Sequence, residues 1–259
     1  MGKVEINWRL IIVLFILSII GIAAVIPYSL SLQSEAIKEL GVSENVLIIS
    51  SIMQSALIFF VLILIGYIIS KKIGIGANII EKWTKGKKVL KDIKNIIPIS
   101  IGSGIAVGGL IIVLDLIFYY LSGSKTAITT ATPGVFQGFL ASFYGGINEE
   151  IMMRFFLMSL VILIINIIIR HKEEKPKPIV VWIAIIITSV LFGLGHLPVT
   201  SSLVAITPLI VTRAIVLNGI AGIVFGWLYW KKGLESAMIS HFSTDIVLHV
   251  LLPAVILFG

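Results

Sequence analysis

Runs of about 20 apolar residues recur along this chain, and that is the length a helix needs to cross the hydrocarbon core of a bilayer. They fall at about 8–32, 46–69, 96–121, 134–169, 179–198, 204–230 and 234–258. Of the 259 residues, 58% are hydrophobic and only 13% charged. A soluble domain of this length has too little interior to hide so much apolar surface. Barrel strands would be shorter and would alternate polar with apolar residues. The expected fold is therefore all-α, a polytopic membrane helical bundle of about seven transmembrane helices, or eight if one half-helix is hidden in a long run. Residues 1–259 are expected to form a single integral membrane domain. The first run, from Trp8 to about Leu32, is too long for the core of a signal peptide and is expected to be retained.

The chain has no cysteine, which removes disulfides, iron–sulfur clusters and thiol catalysis. Its formal net charge is +7. The lysines cluster beside apolar runs, where they set topology and meet anionic lipid rather than nucleic acid. The segment 70–95 carries eight lysines against Glu81 and Asp92, and the loop 170–178 carries Arg170, Lys172, Lys175 and Lys177 against Glu173 and Glu174. The loop after the first crossing is acidic, with Glu35, Glu39 and Glu44 against Lys38. Placing both basic loops in the cytoplasm puts the N-terminus of this multi-pass cell-membrane protein inside and its C-terminus outside. The stretch 75–95, which mixes isoleucines and Trp83 with lysines, reads as an amphipathic helix along the membrane surface. Glycines four apart (Gly104 and Gly108, Gly134 and Gly138, Gly222 and Gly226) mark close approach of helices.

Ionisable groups inside the runs demand explanation, because an Asp or a basic group at mid-membrane costs about 2.5–3.5 kcal/mol. They are Asp115, Glu149, Glu150, Arg154, His196, Arg213, His241, Asp245 and His249. Glu150 and Arg154 are four apart, share a helix face and are expected to pair. Glu149 points about 100° away from Glu150, so Arg154 is not its natural partner, and an unpaired glutamate in apolar surroundings suits a general base. His196 ends the stretch Phe192-Gly-Leu-Gly-His196; alone it reads more readily as a hydrogen-bonded core histidine than as a catalyst. His241, Asp245 and His249 follow at four-residue steps and form one polar stripe on the last helix, the kind that lines a wet cavity or a metal site. Glu149 lies 21 residues before Arg170, and His196 lies 17 after Ile179. In an antiparallel pair their heights differ by only about 6 Å, so the two are expected to face each other, with His241 entering from the last helix. The fourth run would be about 54 Å long as one helix, so it must tilt, protrude, or bend near Gly145-Gly146.

At these residues the sequence resembles the CAAX prenyl protease and bacteriocin-processing family of intramembrane endopeptidases. The motifs are Glu149-Glu150-Ile-Met-Met-Arg154, Phe192-Gly-Leu-Gly-His196 and His241-Phe-Ser-Thr-Asp245, in that order on membrane helices. The stretch GIVFGWLYWKKGLESAMISH also resembles the family's approach to its last motif. The likeness covers roughly 134–250, the expected catalytic core, whereas the helices within 1–133 match in hydropathy only. The resemblance implies hydrolysis of a peptide bond within the membrane, in a peptide or lipidated protein substrate. Eukaryotic members remove the last three residues of prenylated proteins, and prokaryotic members include immunity and peptide-processing proteins. By carry-over Glu149 activates the water and His196 holds it or moves its proton. His241 and Asp245 polarise the scissile carbonyl and stabilise its oxyanion. Glu150 and Arg154 orient Glu149, with Phe192 beside His196.

One departure bears on mechanism. Position 245 is Asp, where the CAAX-processing branch has Asn, and an ionised carboxylate would repel an oxyanion. Asp245 must then be protonated, orient His241, or bind a metal. No HExxH-type chelate lies within one helix, which favours a reaction with no cofactor. The alternative is zinc held by Glu149, His196 and His241 with Asp245 or His249. Two other functions compete with hydrolysis. A proton-coupled transporter would use Asp115, Glu149 and the histidine stripe as a relay, although paired halves with broken helices are not evident. A non-catalytic, immunity-type protein would use the same residues as a buried polar network that holds a partner.

Overall fold

The computed structural model describes residues 5–33, 37, 41, 43–121, 133–171, 173 and 175–258. Among these the chain is helical: α1 (Trp8–Leu32), α2 (Glu44–Ile73), α3 (Asn78–Thr84), α4 (Leu90–Leu121), α5 (Val135–Ile168), α6 (Pro178–Gly195), α7 (Leu197–Ser201), α8 (Pro208–Lys232) and α9 (Leu234–Ile256). Seven spans are long and apolar enough to cross a membrane, with α6 and α7 counting as one. They coincide with the seven hydropathic runs. This is a multi-pass membrane protein, because in hydrocarbon each segment must satisfy its own backbone, which a helix does within itself. Glu35, Lys38 and Glu39 of the acidic loop, and Lys172 and Glu174 of the second basic loop, lie outside the described residues.

Local chemistry sets the helix ends. Asn7 caps α1 by accepting from the Leu10 amide at 3.2 Å. The Tyr67 hydroxyl accepts from the Asn7 amide at 3.0 Å and donates to the Glu5 carbonyl at 2.8 Å, which ties α1 to α2. Pro178 and Pro208 open α6 and α8, where a missing N–H costs nothing. Gly74, at φ 68°, ends α2 in the left-handed conformation that lacks a penalty only for glycine.

Residues 75–95 do not form one surface helix. Only Asn78–Thr84 is a separate short helix, and α4 has already begun at Leu90. A turn through Gly86, at φ 76°, interrupts the pattern. The short helix is held from outside itself, by Glu235 of α9, whose Oε1 accepts from the amides of Ile79 and Ile80 at 2.8 and 2.7 Å. Glu81 bonds to both Lys71 and Lys85. Burial alone would raise the Glu81 carboxyl, but these lysines outweigh it and hold its pKa below the ordinary value.

Helices pack through small residues, since lipid offers no hydrophobic drive between them. On α8, a methyl added at Gly222 would meet Ser189 of α6, and one at Gly226 would meet Ile185. Helix α9 lies against α4 along a polar seam. Ser236 Oγ meets Ser100 Oγ at 2.7 Å, Ser240 meets Ser103 at 3.1 Å, and the Thr244 hydroxyl donates to the Gly104 carbonyl at 3.0 Å. The next residue at each step but the first is His241 or Asp245, so this seam aims the histidine stripe toward α5. Away from these contacts the helices present bulky apolar groups outward. On α6 these are Ile179, Ile183, Ile186, Ile187 and Val190.

Candidate active site

Helix α5 departs from α geometry over Tyr144–Glu149 and again over Ile151–Met158, where it widens to π turns. Helix α9 does the same over Ile246–Leu251. Such turns are rare and concentrate at functional sites. The widening on α5 begins at Gly145-Gly146, where the sequence already calls for a break in a run too long for the membrane. These glycines also let α9 approach. A Cβ on Gly146 would lie 3.0 Å from the Met238 carbonyl oxygen. One on Gly145 would collide with the Asp245 carboxylate and sit 3.2 Å from His241 Nε2.

The two glutamates address one imidazole. His241 Nδ1 lies 2.8 Å from Glu150 Oε1, and a carboxylate only accepts, so Nδ1 carries the proton and donates it. His241 Nε2 is then the reactive nitrogen, 3.7 Å from Glu149 Oε2 and 3.6 Å from Asp245 Oδ1. Both separations exceed a direct hydrogen bond. The ring stacks on Phe225 at 4.6 Å and 21°. Behind it the Arg154 guanidinium lies 3.3 Å from Glu150 Oε2 and over the rings of Phe192 and Phe225. Glu150 and Arg154 are buried completely, whereas the Glu149 side chain keeps 22% exposure. Of the two glutamates, Glu149 is the one that keeps exposed surface.

The resemblance implies that Glu150 and Arg154 orient Glu149. In the structure Glu150 projects toward α9 and contacts His241. The expected pairing of Glu150 with Arg154 is present. Removing one member of a buried pair costs about 3–5 kcal/mol, so this pair is also part of the frame. His196 sits at the end of α6 and donates from Nδ1 to the Phe192 carbonyl at 2.8 Å, which leaves Nε2 free. Among the described residues no hydrogen bond or ion pair joins His196 to Glu149. Its link to the cluster is the Phe192 ring, whose centroid is 4.8 Å from His196 and 5.7 Å from His241. His249 packs edge-on to Tyr28 of α1 at 5.8 Å. Asp115 and Arg213 lie apart from the cluster as a two-pronged ion pair between α4 and α8, at 2.6 and 2.9 Å.

The sequence does not single out Phe225, Tyr28, Ser18 or Asn148. Each stands in an apolar run that offers many equivalent residues. The two cavities described, of about 470 Å³ beside Arg9 and Trp83 and about 240 Å³ between Lys82 and Lys232, border α3 and not this cluster. Among the described residues no three His, Asp or Glu side chains form a metal-ligating group. The zinc set read from the sequence, Glu149, His196 and His241 with Asp245 or His249, is not such a group. With only a slightly exposed carboxylate beside a fixed imidazole, the arrangement is suited to moving a proton and stabilising charge next to it.

Residues 130–247 match the family described as Type II CAAX prenyl endopeptidase Rce1-like. No curated protein and no solved structure matches the chain.

Proposed function

Because its segment 130–247 is a type II CAAX prenyl endopeptidase domain, this chain is a peptide hydrolase embedded in the membrane, and from that premise we propose that Glu149 activates the attacking water. The observation that carries the proposal is the convergence of Glu149 and His241, from different helices, across a 3.7 Å gap with Glu150 locking the far side of the imidazole. In the reaction the Glu149 carboxylate takes a proton from water as the oxygen adds to the scissile carbonyl carbon. The resulting oxyanion is stabilised by the Nε2–H of a doubly protonated His241, whose Nδ1–H is held by Glu150. Asp245 orients that nitrogen, and serves best when protonated, since its carboxylate would otherwise oppose the oxyanion. The C–N bond then breaks, and the proton held by Glu149 passes to the leaving amine. His196, with Nε2 free, holds the water or the leaving group from the α6 side. Arg154 acts through Glu150 and is a positioning residue.

The substrate we propose is a peptide whose lipid anchor or membrane segment delivers its scissile bond near its C-terminus to the exposed edge of Glu149. Residues 134–250 supply the chemistry and the helices within 1–133 supply the frame. The protein sits in the cell membrane with its N-terminus in the cytoplasm, and the lysines of 70–95 lie against anionic lipid. The test is cleavage of a prenylated reporter peptide in proteoliposomes, with metal content measured on the same preparation. Glu149→Gln is expected to lower kcat by about 10²–10⁴-fold, and activity is expected to survive chelation. Equal cleavage by wild type and Glu149→Gln would remove Glu149 as the base, and cleavage by neither would favour a partner-holding protein.

A further inference from the structure

The residue before the two glutamates is also buried and polar, and nothing in the reaction above uses it. Asn148 is fully buried within the first π turn of α5. Its Nδ2 donates to the Ser18 hydroxyl at 2.8 Å and to the Ser18 carbonyl at 3.2 Å, both on α1. A carbonyl cannot donate, so the amide orientation is settled chemically. Ser18 is itself fully buried. One turn along α1, Gly21 makes the room, since a Cβ there would run into the Asn148 side-chain oxygen. That oxygen, Oδ1, has no hydrogen-bond partner among the described residues. An unsatisfied buried acceptor is costly, so two donated bonds to one α1 residue are retained against a penalty.

We propose that Asn148 is a positioning residue which, through Ser18 of α1, fixes the rotation of the π turn and so aims Glu149 at His241 Nε2. The proposal rests on the reading of Glu149 as the base. A π turn shifts the side chains around it out of α register, and a contact from another helix holds them in the shifted position. The residue following the strut is Glu149, and the next is Glu150, which must reach the opposite nitrogen of the same ring. Helix α1 lies outside the matched segment 130–247, yet by this reading it holds the catalytic carboxylate.

The experiment compares Asn148→Ala, Ser18→Ala and the double variant by two readouts. The first is kcat and KM for the reporter peptide. The second does not depend on activity: the rate at which dicyclohexylcarbodiimide, which attacks protonated carboxyls in apolar surroundings, labels Glu149, read by mass spectrometry. Asn148→Ala is expected to lower kcat by about 10–100-fold with KM within about twofold. Ser18→Ala is expected to lower kcat by roughly two- to tenfold, because its carbonyl still accepts. The double variant should match Asn148→Ala alone, as expected for one shared contact, and Glu149 labelling should change in all three. Unchanged labelling, or losses that multiply independently in the double variant, would overturn the strut. If Asn148→Ala does not fold, unchanged labelling in Ser18→Ala overturns it alone. If wild type cleaves nothing, the proteolytic reading falls while a change in labelling still supports the strut.

Discussion

Position 145 illustrates how a residue without side-chain chemistry can govern a site. Gly145 leaves the space that the Asp245 carboxylate occupies, beside His241 Nε2. A Gly145→Ala variant must push Asp245 aside or move α9 from α5. A displacement of about 1 Å in a catalytic group costs on the order of 10²-fold. Gly145→Ala is therefore expected to lose activity on that scale while keeping most of its thermal stability in detergent. Activity within twofold of wild type would show that Asp245 is free to move and that its place beside the imidazole is unimportant. At this scale the sequence was informative about identity and less so about partnership. Two adjacent glutamates 100° apart on an ideal helix face different neighbours. Here both reach one ring, because an imidazole offers two nitrogens on opposite edges and π turns loosen the angular rule. The height of His196 led to the expectation that it faces Glu149; its hydrogen bond to its own helix and its contact through Phe192 follow from rotamers that spacing does not encode.

Among the elements, α9 depends most on its neighbours. Its own sequence interleaves two stripes: Ser236, Ser240 and Thr244 bind α4, while His241 and Asp245 turn to α5. Glycine spacing on α4 announced a close contact, and its partner emerged only in three dimensions, as Gly104 lying beneath Ser240 and Gly108 beneath Val247. The seam should respond in proportion to backbone distance. Ser236→Ala, which removes one hydroxyl pair, is expected to cost about 0.5–1 kcal/mol of stability. Gly104→Leu, which forces the two backbones apart, is expected to cost several times more, roughly 2–3 kcal/mol, and to lower activity by shifting His241. Thermal unfolding in detergent alongside the cleavage assay checks both; equal effects would mean that the seam does not set the spacing. The misreading of 75–95 belongs to this scale as well. Its charge pattern suits a surface helix, but Gly86 breaks it, and the piece that survives is capped by Glu235, a residue about 155 positions away in the chain.

For the whole molecule, the lysine distribution and the odd number of spans define a topology that a cysteine-free chain makes easy to test. Single cysteines in place of Lys87, Lys175 and Ser202 can be labelled with a membrane-impermeant maleimide in vesicles of known sidedness. Lys87→Cys and Lys175→Cys are expected to react only from the cytoplasmic face, and Ser202→Cys only from the opposite one. Reaction of Lys87→Cys and Lys175→Cys from opposite faces would require a missed crossing between them. The same arrangement sets the depth of the site. His241 lies seven residues, about 10 Å, beyond the start of α9 at Leu234, so on the proposed topology the imidazole is expected in the half of the membrane nearer the basic loops.

By itself the sequence determined the number of spans, their approximate positions and which few ionisable groups the membrane must accommodate. Those are local matters, decided by the cost of leaving a peptide group or a charge in hydrocarbon. Only the tertiary structure decided that Glu150 grips one nitrogen of His241 while Glu149 faces the other, and that Asn148, next to the glutamates, bonds to Ser18 of α1. Convergence depends on how each helix is rotated and tilted about its axis. Contacts between helices set those angles, and no single segment carries them.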